Sequence, residues 1–402
     1  MQYLLFAFGV LGALVALTTF FPSHSAALSA LAFVVGWTVC ELPFFFIFLA
    51  VISTSVLIFF GGLSSPIGYI GFALECLYIL SLVAHIIIGK RSAEIISAEI
   101  KHAFNVETHL KDGLPGSWLG LFFGFPTLPK EVEVVRNIDY AGDGIYRHLA
   151  DVYQHKDISR RNGVVVLYIH GGAWVIGDKK QQARPMIYTL AKNGYTCVEI
   201  NYRLSPKATW PDHIVDVKRA IVWIKENIER FGANPEKIII SGGSAGGHLA
   251  SLAALSINDP QFQPDFEDKD TTLIGAVTFY GVMDLTNSTN AQNGQLQKIL
   301  EKRVLKNKLN ENRQLWENAS PMFKVRKDAP PFLIFQGATD TLVPSKEAKI
   351  FAEKLKATSS NPVGYIELPY TQHGFEVLWW SLRTRRSVKA VNEWLDATYL
   401  RS

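Results

Sequence analysis

The sequence predicts an α/β fold, a doubly wound and mostly parallel sheet, preceded by an N-terminal transmembrane helical region. The first observation is the distribution of charge: residues 1–89 contain no Lys, Arg or Asp and only two Glu, Glu41 and Glu75. The second is periodicity, because short apolar runs alternate with helical stretches after Pro129, a pattern typical of βαβ units. A chain of 402 residues is also longer than a single core of about 250 to 300 residues needs. We therefore expect two unlike parts.

We divide the chain into a transmembrane helical region of three to four helices at 1–91, an amphipathic and apolar connector at 92–130, and an α/β domain at 131–402. The mean hydropathy of +0.13 is high because apolar residues are concentrated in the first part. The net charge of +4 is not clustered, which argues against a nucleic-acid partner. The three cysteines lack CxxC spacing and predict neither a disulfide framework nor a zinc site.

The first part contains three apolar runs, at 4–21, 26–62 and 66–89. The first run lacks a basic start and a cleavage site, so we expect a retained helix rather than a signal peptide. The second run exceeds one span of roughly 20 residues and is interrupted by Pro43, which predicts two helices, the first of them short. The third run ends at Lys90 and Arg91, which we take as the membrane boundary and place on the cytoplasmic side. A buried helical hairpin is the alternative for the whole region.

Three polar residues lie inside these apolar runs. Glu41, Glu75 and His85 are costly in lipid, so we expect them at helix interfaces or in the headgroup zone, without a chemical role. In the connector, apolar residues at helical spacing from Ala93 to Phe104 predict an amphipathic helix. The uncharged aromatic stretch 118–125 fits the membrane surface, a substrate entrance or simple packing on the α/β domain.

The α/β domain is expected to open with a hairpin and to continue with parallel strands. The predicted strands lie at 132–140, 145–152, 163–169, 196–200, 237–241, 274–280, 332–336 and 363–367. The predicted helices between them lie at 181–193, 214–231 and 246–255. Right-handed crossovers then give the doubly wound sheet.

The strongest motif is the sequence Gly242-Gly243-Ser244-Ala245-Gly246, which follows a β-branched strand and precedes a run of helix-forming residues. Glycines two positions before and after Ser244 permit a sharp strand-to-helix turn that exposes its hydroxyl. The helix N-terminus also favours developing negative charge. Ser244 is therefore the candidate nucleophile.

A second motif, His170-Gly171-Gly172-Ala173-Trp174, follows an apolar strand. Acyl transfer creates an oxyanion, which needs backbone N–H donors that converge on one point, and adjacent glycines let the chain approach closely. We expect the amides of Gly171, Gly172 and Ala245 to form the oxyanion hole. His170 is expected to support the loop rather than to carry protons.

A serine nucleophile needs a base and a carboxylate that orients it. Asp340 follows the strand at 332–336, and His373 follows the strand at 363–367. The order Ser244, Asp340, His373 is that of α/β-hydrolases. We predict that Asp340 orients His373, and that His373 takes the proton of Ser244.

Other residues near these motifs have structural interpretations that we favour. His248 is expected to pack or hydrogen-bond, and Asp284 to cap a loop, although it is the rival candidate for the triad acid. Asp212 and Asp216 suit a helix N-terminus. The pair Lys179-Lys180 is expected in a solvated turn, and Trp174 either lines the acyl pocket or packs beside it.

Over residues 132–400 these motifs resemble the hormone-sensitive-lipase-like and carboxylesterase branch of the α/β-hydrolases. The resemblance rests on His170-Gly171-Gly172, Asn201-Tyr202-Arg203-Leu204-Ser205-Pro206, the turn at Ser244, Asp340-Thr341-Leu342-Val343-Pro344 and His373-Gly374-Phe375. Many members carry a third glycine after His-Gly-Gly, where this chain has Ala173, as in related carboxylesterases, prenylcysteine methylesterases and arylformamidases. The apolar front end resembles that of membrane-associated bacterial esterases and lipases, mycobacterial ones among them.

The resemblance implies a serine carboxylic-ester hydrolase that acts on small-molecule or lipid esters, without a metal or organic cofactor. We expect a multi-pass protein of a bacterial cell membrane. Two alternatives stay open: an amidase or arylformamidase, which uses the same catalytic groups, and a ligand-binding pseudoenzyme. The natural ester and the oligomeric state are not predicted.

Overall fold

The computed structural model describes residues 1–110 and 127–400. The predicted aromatic stretch 118–125 and part of the connector lie outside these residues. Four helices form the N-terminal region: α1 Gln2–Phe20, α2 Ser29–Glu41, α3 Pro43–Phe59 and α4 Pro66–Phe104. By length and composition α1 and α4 could each cross a membrane, and α2 with α3 could form a third span bent by 88°. The break before Pro43 lies where the sequence predicts it.

Glycines of α1 make close contacts with α4. A Cβ atom on Gly9 would lie 2.4 Å from the carbonyl oxygen of Gly71, and one on Gly12 would lie 2.9 Å from the ring of Tyr78. Glycines that allow two helix backbones to approach in this way are typical of membrane helix pairs. Because both contact positions advance in the same direction along the two helices, α1 and α4 run parallel. Met1 is therefore remote from the α/β domain.

Helix α4 differs from its prediction. It is one helix of 39 residues that continues through Lys90 and Arg91, where we expected the apolar run to end and a separate helix to begin. The reason is that Lys and Arg are good helix formers, so a change from lipid to water need not end a helix. The last turns of α4 bury Ala93, Ile96 and Ile100 against the sheet. The proposed boundary at residue 91 thus falls within a continuous helix.

The α/β domain contains one eight-stranded sheet in the order β1-β2-β4-β3-β5-β6-β7-β8. The strands are β1 Val132–Asp139, β2 Leu149–His155, β3 Val165–Ile169, β4 Thr196–Ile200, β5 Ile238–Gly243, β6 Gly275–Phe279, β7 Phe332–Gly337 and β8 Val363–Leu368. Strand β2 is antiparallel to β1 and β4, and the strands from β3 onward are parallel. The mostly parallel sheet is confirmed, but β2 begins four residues later than predicted, after a short 3₁₀ turn at Tyr146–His148.

Helices cover both faces of this sheet. They are α5 Arg184–Lys192, α6 Asp212–Asn227, α7 Ala245–Leu255, α8 Gln295–Ile299, α9 Arg313–Asn318, α10 Ser345–Thr358 and α11 Leu382–Tyr399. Helices α6, α7 and α10 bury apolar side chains in the core on one face. Helices α5 and α11 and the end of α4 do so on the other. Each face therefore excludes water, as a doubly wound sheet requires.

Candidate active site

Ser244 stands at the turn between β5 and α7. Its backbone has φ +57° and ψ −122°, which non-glycine residues rarely adopt and which costs about 1–3 kcal/mol. Two glycines make the turn possible. A Cβ atom on Gly242 would lie 2.5 Å from the carbonyl group of Gly246, and one on Gly246 would lie 2.0 Å from the carbonyl oxygen of Ile169. The turn therefore has the geometry of a nucleophile elbow.

Asp340 and His373 meet at the carboxyl edge of the sheet because they follow the neighbouring parallel strands β7 and β8. The Nδ1 atom of His373 lies 2.7 Å from Oδ2 of Asp340. Oδ1 of Asp340 accepts the backbone N–H groups of Leu342 at 2.9 Å and Val343 at 2.8 Å. The carboxylate is thus fixed in orientation, and it selects the histidine tautomer that leaves Nε2 free to accept a proton.

Ser244 and His373 line one cavity of about 180 Å³. Its wall is mainly apolar, with Leu296 and Ile299 from the α8 segment and Val343 from the loop after β7 among its members. Pockets of this kind bind the apolar part of a ligand and leave a few polar groups to orient it. The structure therefore brings the predicted nucleophile and base to a common apolar space.

The glycine motif lies beside the nucleophile, but the amides free to form the oxyanion hole differ from those that the sequence predicts. A Cβ atom on Gly171 would lie 3.1 Å from that of Ser244. The N–H of Gly171, however, donates to Oε1 of Gln182 at 2.7 Å. Gly172 and Ala173 follow with φ of +120° and +51°, and Ala173 lines the cavity. The amides of Gly172 and Ala173 have no hydrogen-bond acceptor among the described residues.

The amide of Ala245 opens α7, where the first N–H groups of a helix have no partner within the helix. The donor set best placed for an oxyanion is therefore Gly172, Ala173 and Ala245. Ala173 was not assigned this role from the sequence. Gly171 contributes only if its bond to Gln182 breaks. The role depends on the positive φ of Ala173, which an alanine in the sequence does not indicate.

His170 packs beneath this loop. Its Nδ1 atom lies 2.7 Å from the carbonyl oxygen of Gly171, and its ring stacks on Tyr202 at 4.5 Å between centroids. Burial lowers the pKa of His170 to about 4, so the ring is neutral at physiological pH. This environment suits the supporting role predicted for His170.

His248 is a structural residue. It accepts the indole N–H of Trp174 at Nδ1, at 3.2 Å, and donates from Nε2 to the carbonyl oxygen of Ala319 at 2.7 Å. Burial lowers its pKa to about 4. Trp174 is buried and also lines the cavity, so both roles considered for this side chain apply.

Asp284 caps a loop, as expected. Its carboxylate accepts hydrogen bonds from the backbone and hydroxyl of Thr286 and from the hydroxyl of Ser288. Asp340, in contrast, is hydrogen-bonded to His373, which favours Asp340 over Asp284 as the triad acid.

The acidic residues near α6 and the lysine pair have distinct environments. Asp212 and Asp216 both pair with Arg203, at 3.3 and 2.6 Å.

The prediction that Lys179 lies in a solvated turn was wrong. Its side chain is fully buried and its Nζ lies 2.7 Å from Oδ1 of Asp151, also fully buried. The neighbouring Lys180 is exposed, as a solvated turn requires.

A part of the site that the sequence did not reveal comes from the N-terminal region. The Nε1–H of Trp37 in α2 donates to the carbonyl oxygen of Gly374, next to His373, at 2.8 Å. Ser29, at the start of α2, lines the cavity. Within 1–110 and 127–400, no group of three His, Cys, Asp or Glu residues is placed to hold a metal ion.

The sheet, the elbow and the Asp340–His373 pair together define an α/β-hydrolase fold. The chain belongs to the BD-FAE family, whose model matches residues 150–355. This agrees with the hormone-sensitive-lipase-like and carboxylesterase branch predicted from the motifs.

Two curated relatives come from Mycobacterium tuberculosis. The probable carboxylic ester hydrolase LipM is 46% identical over 264 residues, 65% of this chain and 61% of the relative. Esterase LipQ is 42% identical over 259 residues, 64% of this chain and 61% of the relative. The match thus spans about three fifths of each relative. Among solved structures, phosphonylated Thermogutta terrifontis esterase 2 has a TM-score of 0.57 at 23% identity, covering 68% of this chain and 97% of that one. This likeness concerns the fold.

Proposed function

We propose that the protein is a membrane-anchored serine carboxylic-ester hydrolase that cleaves apolar esters through an acyl-enzyme on Ser244. The observation that carries the proposal is the bond of 2.7 Å between His373 and Asp340, with His373 and Ser244 on one apolar cavity. The names of the relatives LipM and LipQ, a carboxylic ester hydrolase and an esterase, support the same reaction.

The reaction begins when Oγ of Ser244 attacks the ester carbonyl carbon while Nε2 of His373 takes the hydroxyl proton. The carbonyl oxygen becomes an oxyanion, held by the amides of Gly172, Ala173 and Ala245. The carbon–oxygen bond to the alcohol breaks, and His373 gives its proton to the departing alkoxide. Water, deprotonated by His373, then attacks the acyl-enzyme, releases the carboxylic acid and restores the Ser244 hydroxyl.

The proposed location is a bacterial cell membrane, crossed several times. Two helices, or three if the bent pair counts as one span, have the length and composition for this. The charges of Lys90 and Arg91 favour a cytoplasmic α/β domain, and the parallel course of α1 and α4 then favours Met1 on the opposite side of the membrane. The apolar cavity and the lipid-like front end together favour small-molecule or lipid esters with apolar groups over polar ones.

The test is turnover of p-nitrophenyl butyrate by the full-length chain in detergent micelles. Ser244→Ala should lose activity by the order of 10⁴-fold or more. The matched control is Ser251→Ala, which removes a buried hydroxyl from the same helix, α7, and should retain activity. Equal rates for wild type and Ser244→Ala would refute the proposal. Faster cleavage of a matched p-nitroanilide than of the ester would instead favour the amidase alternative.

A further inference from the structure

Helix α2 lies over the loops that carry the catalytic acid and base. Besides the bond from Trp37 to Gly374, a Cβ atom on Gly36 would lie 2.9 Å from the side chain of Gln372. The ring of Phe33 meets that of His373 edge to face, with centroids 6.1 Å apart. Helix α2 thus contacts the imidazole of His373 and both residues beside it in the chain, Gln372 and Gly374.

The same helix also reaches the loop of the triad acid. The hydroxyl of Thr341, next to Asp340, donates to the carbonyl oxygen of Ser29 at 2.9 Å. The backbone N–H of Thr341 donates to Oε1 of Gln372 at 3.2 Å. The loops of Asp340 and His373 are therefore tied to each other and to the N-terminal end of α2.

The C-terminal end of α2 is fixed by buried polar contacts. The Glu41 carboxylate accepts the hydroxyl of Ser381 and lies 3.5 Å from Nη1 of Arg383. The same guanidinium donates to the carbonyl oxygen of Cys40 at 3.0 Å. Glu41 and Arg383 are both buried, so removing either partner leaves an uncompensated buried charge. These contacts hold α2 at a fixed position on the α/β domain.

The opposite face of α2 is apolar and open. Leu28, just before α2, is 51% exposed, and Leu31 and Val34 within the helix are 61% and 52% exposed. The chain bends by 88° between α2 and α3. If α3 crosses the bilayer, α2 therefore lies along the membrane surface. An apolar helix in that position contacts lipid on one face and the α/β domain on the other. The cavity beside Ser29 then borders the bilayer.

We propose that α2 is a functional wall of the active site. Trp37 is a positioning residue that holds the His373 loop through Gly374, and Ser29 is a specificity-determining residue of a cavity that receives apolar esters from the bilayer surface. The inference rests on the proposed function. It assigns to the front end a role beyond anchoring.

The first test compares Trp37→Phe with wild type in the full-length chain in micelles, using water-soluble p-nitrophenyl acetate. The substitution keeps an aromatic ring at this position and removes the N–H donor together with part of the indole ring. We expect kcat to fall about tenfold with little change in KM, because the lost bond orients the base and does not touch the substrate. The rate of Ser244 labelling by a fluorophosphonate should fall by the same factor.

The matched control is Trp223→Phe in α6, which should keep the wild-type kcat, and Leu31→Ala on the outer face of α2 should do so with this soluble ester. Wild-type kcat for Trp37→Phe, with Ser244→Ala inactive, would overturn the positioning role and leave the proposed function intact. An inactive wild type would overturn both.

The second test concerns Ser29. Ser29→Leu adds bulk at the cavity wall, so kcat/KM for p-nitrophenyl octanoate relative to the acetate should fall about tenfold. An unchanged ratio in active enzyme would refute the role of α2 in specificity. Because the ratio compares two substrates on one preparation, partial loss of folded protein does not alter it.

Discussion

Asp340→Asn is the most informative single substitution in the site. Oδ1 of Asp340 accepts the amides of Leu342 and Val343, and Oδ2 accepts Nδ1–H of His373. In the variant, the Asn oxygen remains with the two backbone donors, since the Asn NH₂ group cannot accept from them. That NH₂ group then faces Nδ1 of His373.

Two donors cannot share this bond, so the imidazole must move its proton to Nε2. The proton on Nε2 occupies the position that should accept the Ser244 proton. In serine proteases with a Ser-His-Asp triad, the equivalent change lowers kcat about 10⁴-fold, and we expect a loss of the same order here. That factor corresponds to about 5.5 kcal/mol in the activation free energy.

The assay is kcat for p-nitrophenyl butyrate, with folding checked by the thermal unfolding temperature. The matched control is Asp284→Asn, since Asp284 is also buried and was the rival candidate for the triad acid. It should retain kcat and lose stability, because its carboxylate caps the loop through Thr286 and Ser288. If Asp284→Asn abolished turnover while Asp340→Asn kept more than a tenth of it, the assignment of the acid would be wrong.

Two further predictions concern stability. Lys179→Met should lower the free energy of unfolding by about 3–5 kcal/mol, because Asp151 loses its buried partner. Differential scanning fluorimetry should show a fall in Tm of roughly 10 °C, and an equal fall in exposed Lys180→Met would contradict the argument. Burial raises the pKa of Glu376 from 4.5 to about 7, so the stability from its protonated form is complete below pH 4.5 and is lost as the pH rises through about 7. Glu376→Gln cannot ionise, and its Tm should fall less than that of wild type between about pH 5 and pH 8; equal falls would refute this.

The sequence revealed those parts of the site that depend on local geometry. The elbow at Ser244 needs glycines at fixed offsets, and Asp340 and His373 each follow a strand directly, so neighbouring residues carry the signal. Strand β2 was misplaced because Ile145 and Tyr146 are apolar yet exposed, whereas the strand itself is buried almost throughout and shows no alternation. The donor role of Ala173 depends on a backbone angle that residue type does not reveal.

The burial of Lys179 could not be predicted from its neighbours in the sequence. Beside Lys180 it has the composition of a solvated turn, and its partner Asp151 lies 28 residues away on β2. A lysine is rarely buried without such a partner. Only the three-dimensional pairing of the loop with β2 reveals that one lysine of the pair is buried.

Glu41 is a second buried charge whose partner is distant in the sequence. Because Glu41 lies in an apolar run, we expected it at a helix interface or in the headgroup zone. Its partner, Arg383, lies 342 residues further along the chain. A carboxylate in a lipid-like segment is costly unless a distant cation compensates it. The guanidinium in turn is buried at the start of α11, so each charge requires the other. The pair of Glu41 and Arg383 thus joins the apolar front end to the α/β domain and keeps α2 against the loops of Asp340 and His373.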